Sequence, residues 1–117
     1  MRLVKLKSNG DFRRIYRRGK SFVTPHFVVY VLPNARVNGV RLGITVSKKI
    51  GGAVERNRAK RVLTAAFRSC MPQILSGHDF VLVARTRILG IKSTAAAEGL
   101  KKQLCAAGIW CENEDHQ

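Results

Sequence analysis

The segment from Ile50 to Arg68 constrains the fold of this chain more than any other stretch. Its apolar residues recur at the i, i+3, i+4, i+7 and i+8 spacing of one helical face: Ala59, Val62, Leu63, Ala66 and Phe67. Two glycines precede the pattern and Pro72 follows it, which predicts a helix from about Ala53 to Cys70. The apolar face is expected to anchor this helix in a hydrophobic core.

The other side of the same predicted helix is cationic. At about 100° per residue, the residues opposite the stripe are Asn57, Arg58, Arg61 and Arg68, with Lys60 at its edge and Arg56 nearer the apolar side. Glu55 is the only acid in the segment, so compensating i,i+4 pairs are missing. Cations early in a helix also oppose its dipole. The placement therefore indicates a requirement other than stability, and we interpret it as a surface for an anionic partner.

The overall charge supports this interpretation. The 117 residues contain 22 Lys and Arg against seven Asp and Glu, for a net charge of +15, while 45% of residues are hydrophobic. Such a chain is expected to fold as one domain, residues 1–117, with 112–117 as a frayed acidic tail. Self-repulsion of this size is usually tolerated because a polyanion neutralises it, either nucleic acid or an anionic membrane.

Localisation and redox state are predicted from what the sequence lacks. No run approaches the roughly 18 apolar residues of a membrane span, and the N-terminus has no apolar stretch typical of a signal peptide. Cys70, Cys105 and Cys111 form neither a CxxC motif nor a pattern with histidine pairs, so neither a disulfide framework nor a zinc site is indicated. We expect a cytoplasmic protein.

The rest of the chain alternates between helical and strand patterns. Helices are predicted at about 9–18 and 94–107, and strands at 26–32, 41–47 and 80–84, with a short strand near Phe22. The order is α-β-β-β-α-β-α, an α+β fold in which helices pack on one sheet. The strand at 80–84 is apolar on both faces and is therefore expected to be central. Gly43 and Thr45 on the strand at 41–47 leave room for a ligand, or belong to an ordinary solvated face.

The first predicted helix carries aromatic residues beside arginines. Phe12, Ile15 and Tyr16 form one stripe, flanked by Arg13, Arg14, Arg17 and Arg18. The two rings belong either to the core or to a groove in which nucleic-acid bases stack. The histidines and acids are scattered, and no Ser-His-Asp, Cys-His or paired-carboxylate set is apparent. The residues alone thus favour an RNA-binding domain without catalytic residues of its own.

Several motifs resemble one family. The run RLGITVSKKIGGAVERNRAKRVLTAAFR at 41–68, with its RNR motif after a VSKK-G stretch, closely resembles the signature of the bacterial ribonuclease P protein subunit. GDFRRIYRRG at 10–19 resembles the first helix of that family, and HFVVYVL at 26–32 and HDFVLVAR at 78–85 resemble its strands. The match covers roughly residues 3–107. The resemblance implies a two-layer α-β sandwich similar to domain 2 of ribosomal protein S5, with a left-handed βαβ crossover.

The same resemblance implies a function. The family's enzyme is a ribonucleoprotein endonuclease that removes the 5′ leader from precursor tRNA; its RNA subunit carries out hydrolysis with bound Mg²⁺. The protein would bind that RNA and the leader, raising substrate affinity and lowering the Mg²⁺ requirement, with one protein per RNA and no tightly bound metal of its own.

Site residues follow from the matching positions. The resemblance assigns Arg56, Asn57, Arg58, Lys60 and Arg61 to the RNR helix that lies against the catalytic RNA. It assigns Phe12, Tyr16, Tyr30, Ser47 and Lys48 to the cleft that receives the single-stranded leader. Thr64 stands where the family often has a basic residue, and Arg68, one turn further on, is the candidate to compensate. A structural rRNA-binding protein and an anionic-membrane binder are the alternatives, although the sequence lacks a basic helix with exposed large apolar residues.

Overall fold

The computed structural model describes residues 3–110, so the predicted acidic tail at 112–117 lies outside the described residues. Five strands and three α-helices follow one another within residues 3–110. They are β1 (Leu3–Lys5), α1 (Asn9–Arg18), β2 (Lys20–Val23), β3 (Phe27–Pro33), β4 (Val40–Thr45), α2 (Ala53–Cys70), β5 (His78–Ala84) and α3 (Ser93–Ala106). The helix bounds agree with the sequence prediction to within a residue or two.

The strands form one mixed sheet in the order β1-β4-β5-β3-β2. β3 pairs antiparallel with both β2 and β5, whereas β4 pairs in parallel with both β1 and β5. The connection from β4 through α2 to β5 is therefore the βαβ crossover that the resemblance implies. β5 lies in the centre of the sheet, as its two apolar faces predicted, and Phe80, Val81 and Leu82 are fully buried.

The helices divide between the two faces of the sheet. α2 and α3 pack on one face, where Leu63, Phe67 and Leu100 join Phe27 and Phe80 in the main core. This helix pair and the sheet make up the two-layer sandwich. α1 lies across the other face and packs Ile15 against Val81 and Leu6 in a smaller cluster. Because α1 covers only part of that face, the rest of it is available for binding.

The sequence-based order of elements lacked the first strand. The predicted order begins with the helix at about 9–18, but Leu3–Lys5 precedes it and pairs in parallel with β4, in the register Leu3 opposite Val40 and Lys5 opposite Leu42. Three residues are too few to show an alternating pattern. Pairing with β4 instead depends on a partner almost forty positions away, which only the folded chain brings close.

The residue pattern predicted a strand at 80–84, but β5 begins two residues earlier, at His78, within the 78–85 run that resembles a family strand. Asp79 therefore lies in the strand and has no exposed surface. An acidic residue at a fully buried strand position requires partners that a local pattern does not reveal.

Candidate nucleic-acid interface

The cationic face of α2 is exposed as predicted. Ala59, Leu63 and Phe67 point into the core. The side chains on the outer surface are Asn57, Arg58, Lys60, Arg61 and Arg68, a set that we call the α2 strip. Among the described residues, no member of this set makes an ion pair. The strip therefore offers its full charge to solvent or to a partner.

The geometry at the start of α2 explains why Glu55 does not neutralise the α2 strip. The Glu55 Oε1 atom accepts a hydrogen bond from the Gly52 N–H at 3.0 Å, so this carboxylate turns back to the helix N-terminus, where negative charge is stabilised. Gly51 has φ of 147°, and a Cβ there would lie 2.9 Å from the Glu55 Cβ atom, so a side chain is excluded. Arg56, which is half-buried, donates from Nε to the Gly52 carbonyl at 3.3 Å. Arg56 thus lies along the helix start and outside the α2 strip.

Residues from neighbouring elements border the α2 strip on both sides. On one side, Arg58 and Arg61 share a shallow depression with Lys92, Ser93 and Thr94 at the start of α3. Sequence reasoning missed Lys92, because it precedes a helix without any motif.

On the other side, Lys60 and Thr64 line a cavity of about 230 Å³ together with Lys5 of β1 and Phe12 of α1. Lys60 therefore reaches the sheet edge and approaches the opposite face of the molecule. Thr64, the uncharged departure from the family pattern, lies in this cavity, whose charge is supplied by Lys5 and Lys60.

Three aromatic rings form a continuous surface between α1 and the sheet, which we call the aromatic cleft. The ring centroids of Tyr16 and Tyr30 are 5.0 Å apart in an edge-to-face arrangement, and those of Phe12 and Tyr16 are 6.4 Å apart. The Tyr16 hydroxyl and the Thr45 hydroxyl share a hydrogen bond of 2.6 Å. Tyr16 is 37% exposed, whereas Phe12 and Tyr30 are half-buried beside the smaller core cluster. The two alternatives, core packing and an open groove, thus apply to different rings. Tyr16 is presented to solvent, and Phe12 and Tyr30 pack beneath it.

Gly43 fits neither of the two alternatives, room for a ligand or an ordinary solvated face. The ring of Phe12 occupies the space over it, and a Cβ at Gly43 would overlap this ring. Gly43 itself is buried. The open part of β4 is therefore nearer its end, at Thr45.

Ser47 and Lys48 follow directly after β4, two and three residues beyond Thr45. Both are exposed. The Ser47 Oγ atom accepts a hydrogen bond from the Lys49 N–H at 3.3 Å and begins a short 3-10 turn, Lys48–Ile50, which leads into α2. These two residues therefore lie on the connection between the strand that ends beside the aromatic cleft and the helix that carries the α2 strip.

A buried ion cluster lies on the far side of α1 from the aromatic cleft. Asp79 Oδ1 accepts from Arg41 Nε at 2.8 Å. Asp79 Oδ2 accepts from Arg41 Nη2 at 2.7 Å, Arg14 Nη2 at 2.8 Å and Asn34 Nδ2 at 3.1 Å. Asp11 completes the cluster by pairing with Arg14 at 2.7 Å and with Arg41 at 3.5 Å.

The electrostatics of this cluster are dominated by its arginines. Burial by itself would raise the pKa of Asp79, but the hydrogen bonds from Arg41 and Asn34 and the charges of Arg41 and Arg14 outweigh it and hold that pKa below its usual range. The hydrogen bond to Asp79 raises the pKa of Arg41. Sequence reasoning missed this cluster because its members are spread over three elements, α1, β4 and β5, and the connection between β3 and β4.

Three of the four described carboxylates have partners within the protein. Asp11 and Asp79 face arginines, and Glu55 accepts from backbone. Within residues 3–110, no three His, Cys, Asp or Glu side chains are grouped as metal ligands would be. None of the helices in this range has the length and apolar character needed to cross a membrane.

The fold and the two surfaces define a small, strongly basic α+β protein with an exposed cationic helix face. Comparison with known proteins identifies the family. The model of the Ribonuclease P family matches residues 1–108. The ribonuclease P protein component of Clostridium acetobutylicum is 37% identical over 110 residues, which cover 93% of this chain and 92% of that protein. That of Natranaerobius thermophilus is 44% identical over 85 residues, 73% of each chain.

Solved structures agree with these sequence matches. The chain is similar to the Staphylococcus aureus RNase P protein with a TM-score of 0.79 and 35% identity, over 91% of this chain and 96% of that one. It is similar to the RNase P protein of Thermotoga maritima with a TM-score of 0.75 and 32% identity, over 86% and 94% of the two chains. The chain therefore belongs to the ribonuclease P protein family, whose members are protein components of a tRNA-processing ribonucleoprotein.

Proposed function

We propose that the protein binds the catalytic RNA of ribonuclease P through the α2 strip and the single-stranded 5′ leader of precursor tRNA through the aromatic cleft. The observation that carries this proposal is Tyr16. Its ring is exposed, yet Tyr30 and the Thr45 hydroxyl fix its position. A fixed, exposed ring beside arginines is suited to stack an unpaired base.

The two surfaces suit two different RNA partners. The α2 strip is cationic and without aromatic rings, which suits a folded RNA recognised through its phosphates. The aromatic cleft suits a flexible single strand, whose bases are free to stack. Ser47 and Lys48 join the two surfaces along the chain, and Lys60 approaches Phe12 at the sheet edge. One protein can thus hold both RNAs at once.

Hydrolysis is assigned in this proposal to the RNA subunit and its Mg²⁺. The protein contributes no catalytic residue; it raises the affinity for precursor tRNA and, by adding cations near the RNA phosphates, lowers the Mg²⁺ that the assembly requires. We further propose one protein per RNA subunit. The protein would act in the cytoplasm, since precursor tRNA is processed there.

The leader contact is tested by substitution at Tyr16 in the reconstituted holoenzyme. Tyr16→Ala removes a stacking ring, so the affinity for precursor tRNA should fall by about 1–3 kcal/mol, roughly 5- to 150-fold. Tyr16→Phe keeps the ring and loses only the hydrogen bond to Thr45, so its effect should be smaller. Mature tRNA, which has no leader, should bind all three proteins equally. Equal losses for precursor and mature tRNA would contradict the proposal and favour a general structural role.

The contact with the catalytic RNA is tested by salt dependence. Arg58→Ala and Arg61→Ala should each lower the slope of log K against log salt by about 0.7–0.9 for every phosphate contact removed. Lys102→Ala, an exposed cation on α3, is the matched control and should leave the slope unchanged. A slope that remains unaltered in both arginine variants would mean that the α2 strip does not touch phosphate.

A further inference from the structure

A second cationic surface lies beside α1, on the side opposite the aromatic cleft. A cavity of about 800 Å³ opens there between α1 and the loop from β3 to β4. Its charged lining consists of Asp11, Arg14, Arg18, Arg36 and Arg41. We call it the arginine cavity. Neither the α2 strip nor the aromatic cleft includes any of these residues.

Only some of the arginines that line the arginine cavity are paired with carboxylates. Arg14 and Arg41 are held by Asp11 and Asp79. Within the described part of the chain, neither Arg18 nor Arg36 forms an ion pair. Two cations are thus left in a concave site, where low-dielectric walls focus their field on an incoming anion.

The cavity is fixed in shape by the buried cluster beneath it. Asp79 holds Arg14 on α1, Arg41 on β4 and Asn34 in the loop. The Asn34 Oδ1 atom in turn accepts from the Arg36 N–H at 3.1 Å, which sets the backbone at Arg36. The loop and α1 are therefore tied to the sheet before any ligand arrives, and less ordering is needed on binding.

α1 connects the arginine cavity to the aromatic cleft. At about 100° per residue, with the buried Ile15 at the bottom of the helix, Phe12 and Tyr16 fall on one flank and Arg14 and Arg18 on the other. The top of the helix, between the two flanks, carries the exposed Arg13 and Arg17. The pair Arg13–Arg17 places like charges at i,i+4, which is unfavourable unless an anion lies across it.

We propose that the arginine cavity binds a phosphodiester of the precursor tRNA leader, upstream of the nucleotides in the aromatic cleft. The strand would leave Tyr16, cross α1 over Arg13 and Arg17, and place a phosphate between Arg18 and Arg36. A helix with its side chains is about 10–12 Å wide, so the crossing takes at most roughly three nucleotides, the number that spans it at the ~3.4 Å per nucleotide of a stacked strand. This inference rests on the proposed leader contact at Tyr16 and extends it.

The test compares two precursor tRNAs in the reconstituted holoenzyme. One has a short leader that ends within the aromatic cleft; the other is longer by about six nucleotides, roughly twice the crossing distance. Arg18→Ala and Arg36→Ala should each weaken binding of the long-leader substrate about three- to tenfold and lower its salt slope by about 0.7. Binding of the short-leader substrate should not change. Arg36→Lys should restore part of the loss, and Lys102→Ala is the control.

Each alternative outcome overturns the inference in a recognisable way. If the arginine variants leave long-leader binding unchanged, the cavity does not take the leader, even where Tyr16→Ala still weakens short-leader binding and so supports the cleft. If they weaken both substrates and mature tRNA alike, the cavity contacts another part of the RNA. If Tyr16→Ala has no effect on either leader, the proposed leader contact fails first. Urea unfolding of each variant separates these outcomes from loss of fold.

Discussion

Substitution of Asp79 by Asn tests whether the buried ion cluster holds α1 and the β3–β4 loop on the sheet. The carboxylate has no exposed surface and accepts four hydrogen bonds, three of them on Oδ2. An Asn side chain can place its oxygen at the Oδ2 position, but its amide group then faces the Arg41 Nε donor. The variant therefore loses one hydrogen bond and the negative charge between two arginines.

The expected loss in the free energy of unfolding depends on how deeply Asp79 and its two arginine partners are buried. Removing one partner of a buried ion pair typically costs about 3–5 kcal/mol. Because the Arg14 and Arg41 side chains are 33% and 23% exposed, water can partly solvate them in the variant. We therefore expect a loss of about 2–4 kcal/mol. For a chain of this size, that corresponds to a fall in Tm of roughly 8–16 °C.

Urea unfolding at neutral pH measures this loss, and Asp11→Asn is the matched control. Asp11 pairs with the same two arginines, but its side chain is 23% exposed, so its removal should cost less than about 1 kcal/mol. A cost for Asp79→Asn no larger than that for Asp11→Asn would refute the reasoning, because it would show that burial of the carboxylate contributes nothing.

The pH dependence of the difference provides a second check. The pKa of Asp79 is held below its usual range in the folded protein, so its contribution is fully present above the unfolded-state pKa of about 3.9. The contribution is lost as the pH falls through the lower, folded-state pKa. The stability difference between wild type and Asp79→Asn should thus be constant from neutral pH to about pH 5 and shrink below about pH 4. A difference that grows on acidification would contradict the assigned direction.

Two glycines give further predictions. Gly43→Ala introduces a methyl group that overlaps the ring of Phe12, so that ring must move. The affinity of the holoenzyme for precursor tRNA should therefore fall, while its affinity for mature tRNA is retained. If the variant and the wild type bind precursor tRNA equally well, Phe12 does not shape the aromatic cleft. Gly51→Ala meets both a positive φ and the Glu55 side chain, and should cost about 1–3 kcal/mol in urea unfolding. Gly52→Ala, with its nearest contact at 3.3 Å and negative φ, is the control and should cost less.

Local patterns determined the elements and the charged surface of this protein. The bounds of α1 and α2, the central position of β5 and the exposed α2 strip were all predicted, because each depends on the spacing of residues within one segment. The resemblance in the RNR region identified the family, which the comparisons confirm. Roles in RNA binding stay predictions for the residues of both surfaces.

Contacts between distant segments were decided only in three dimensions. The pairing of Arg14 with Asp79 joins residues 65 positions apart, and the strand at Leu3–Lys5 exists only because β4 offers it an open edge. The Phe12 ring fills the space over Gly43 only because folding brings α1 onto β4. Lys60 of α2 lines a cavity with the same Phe12 ring at the sheet edge. Periodicity tells which side of a helix or strand is buried, but not what lies against it. The sequence therefore determined that Ile50–Arg68 is a cationic helix, and the tertiary structure decided which surfaces lie beside it.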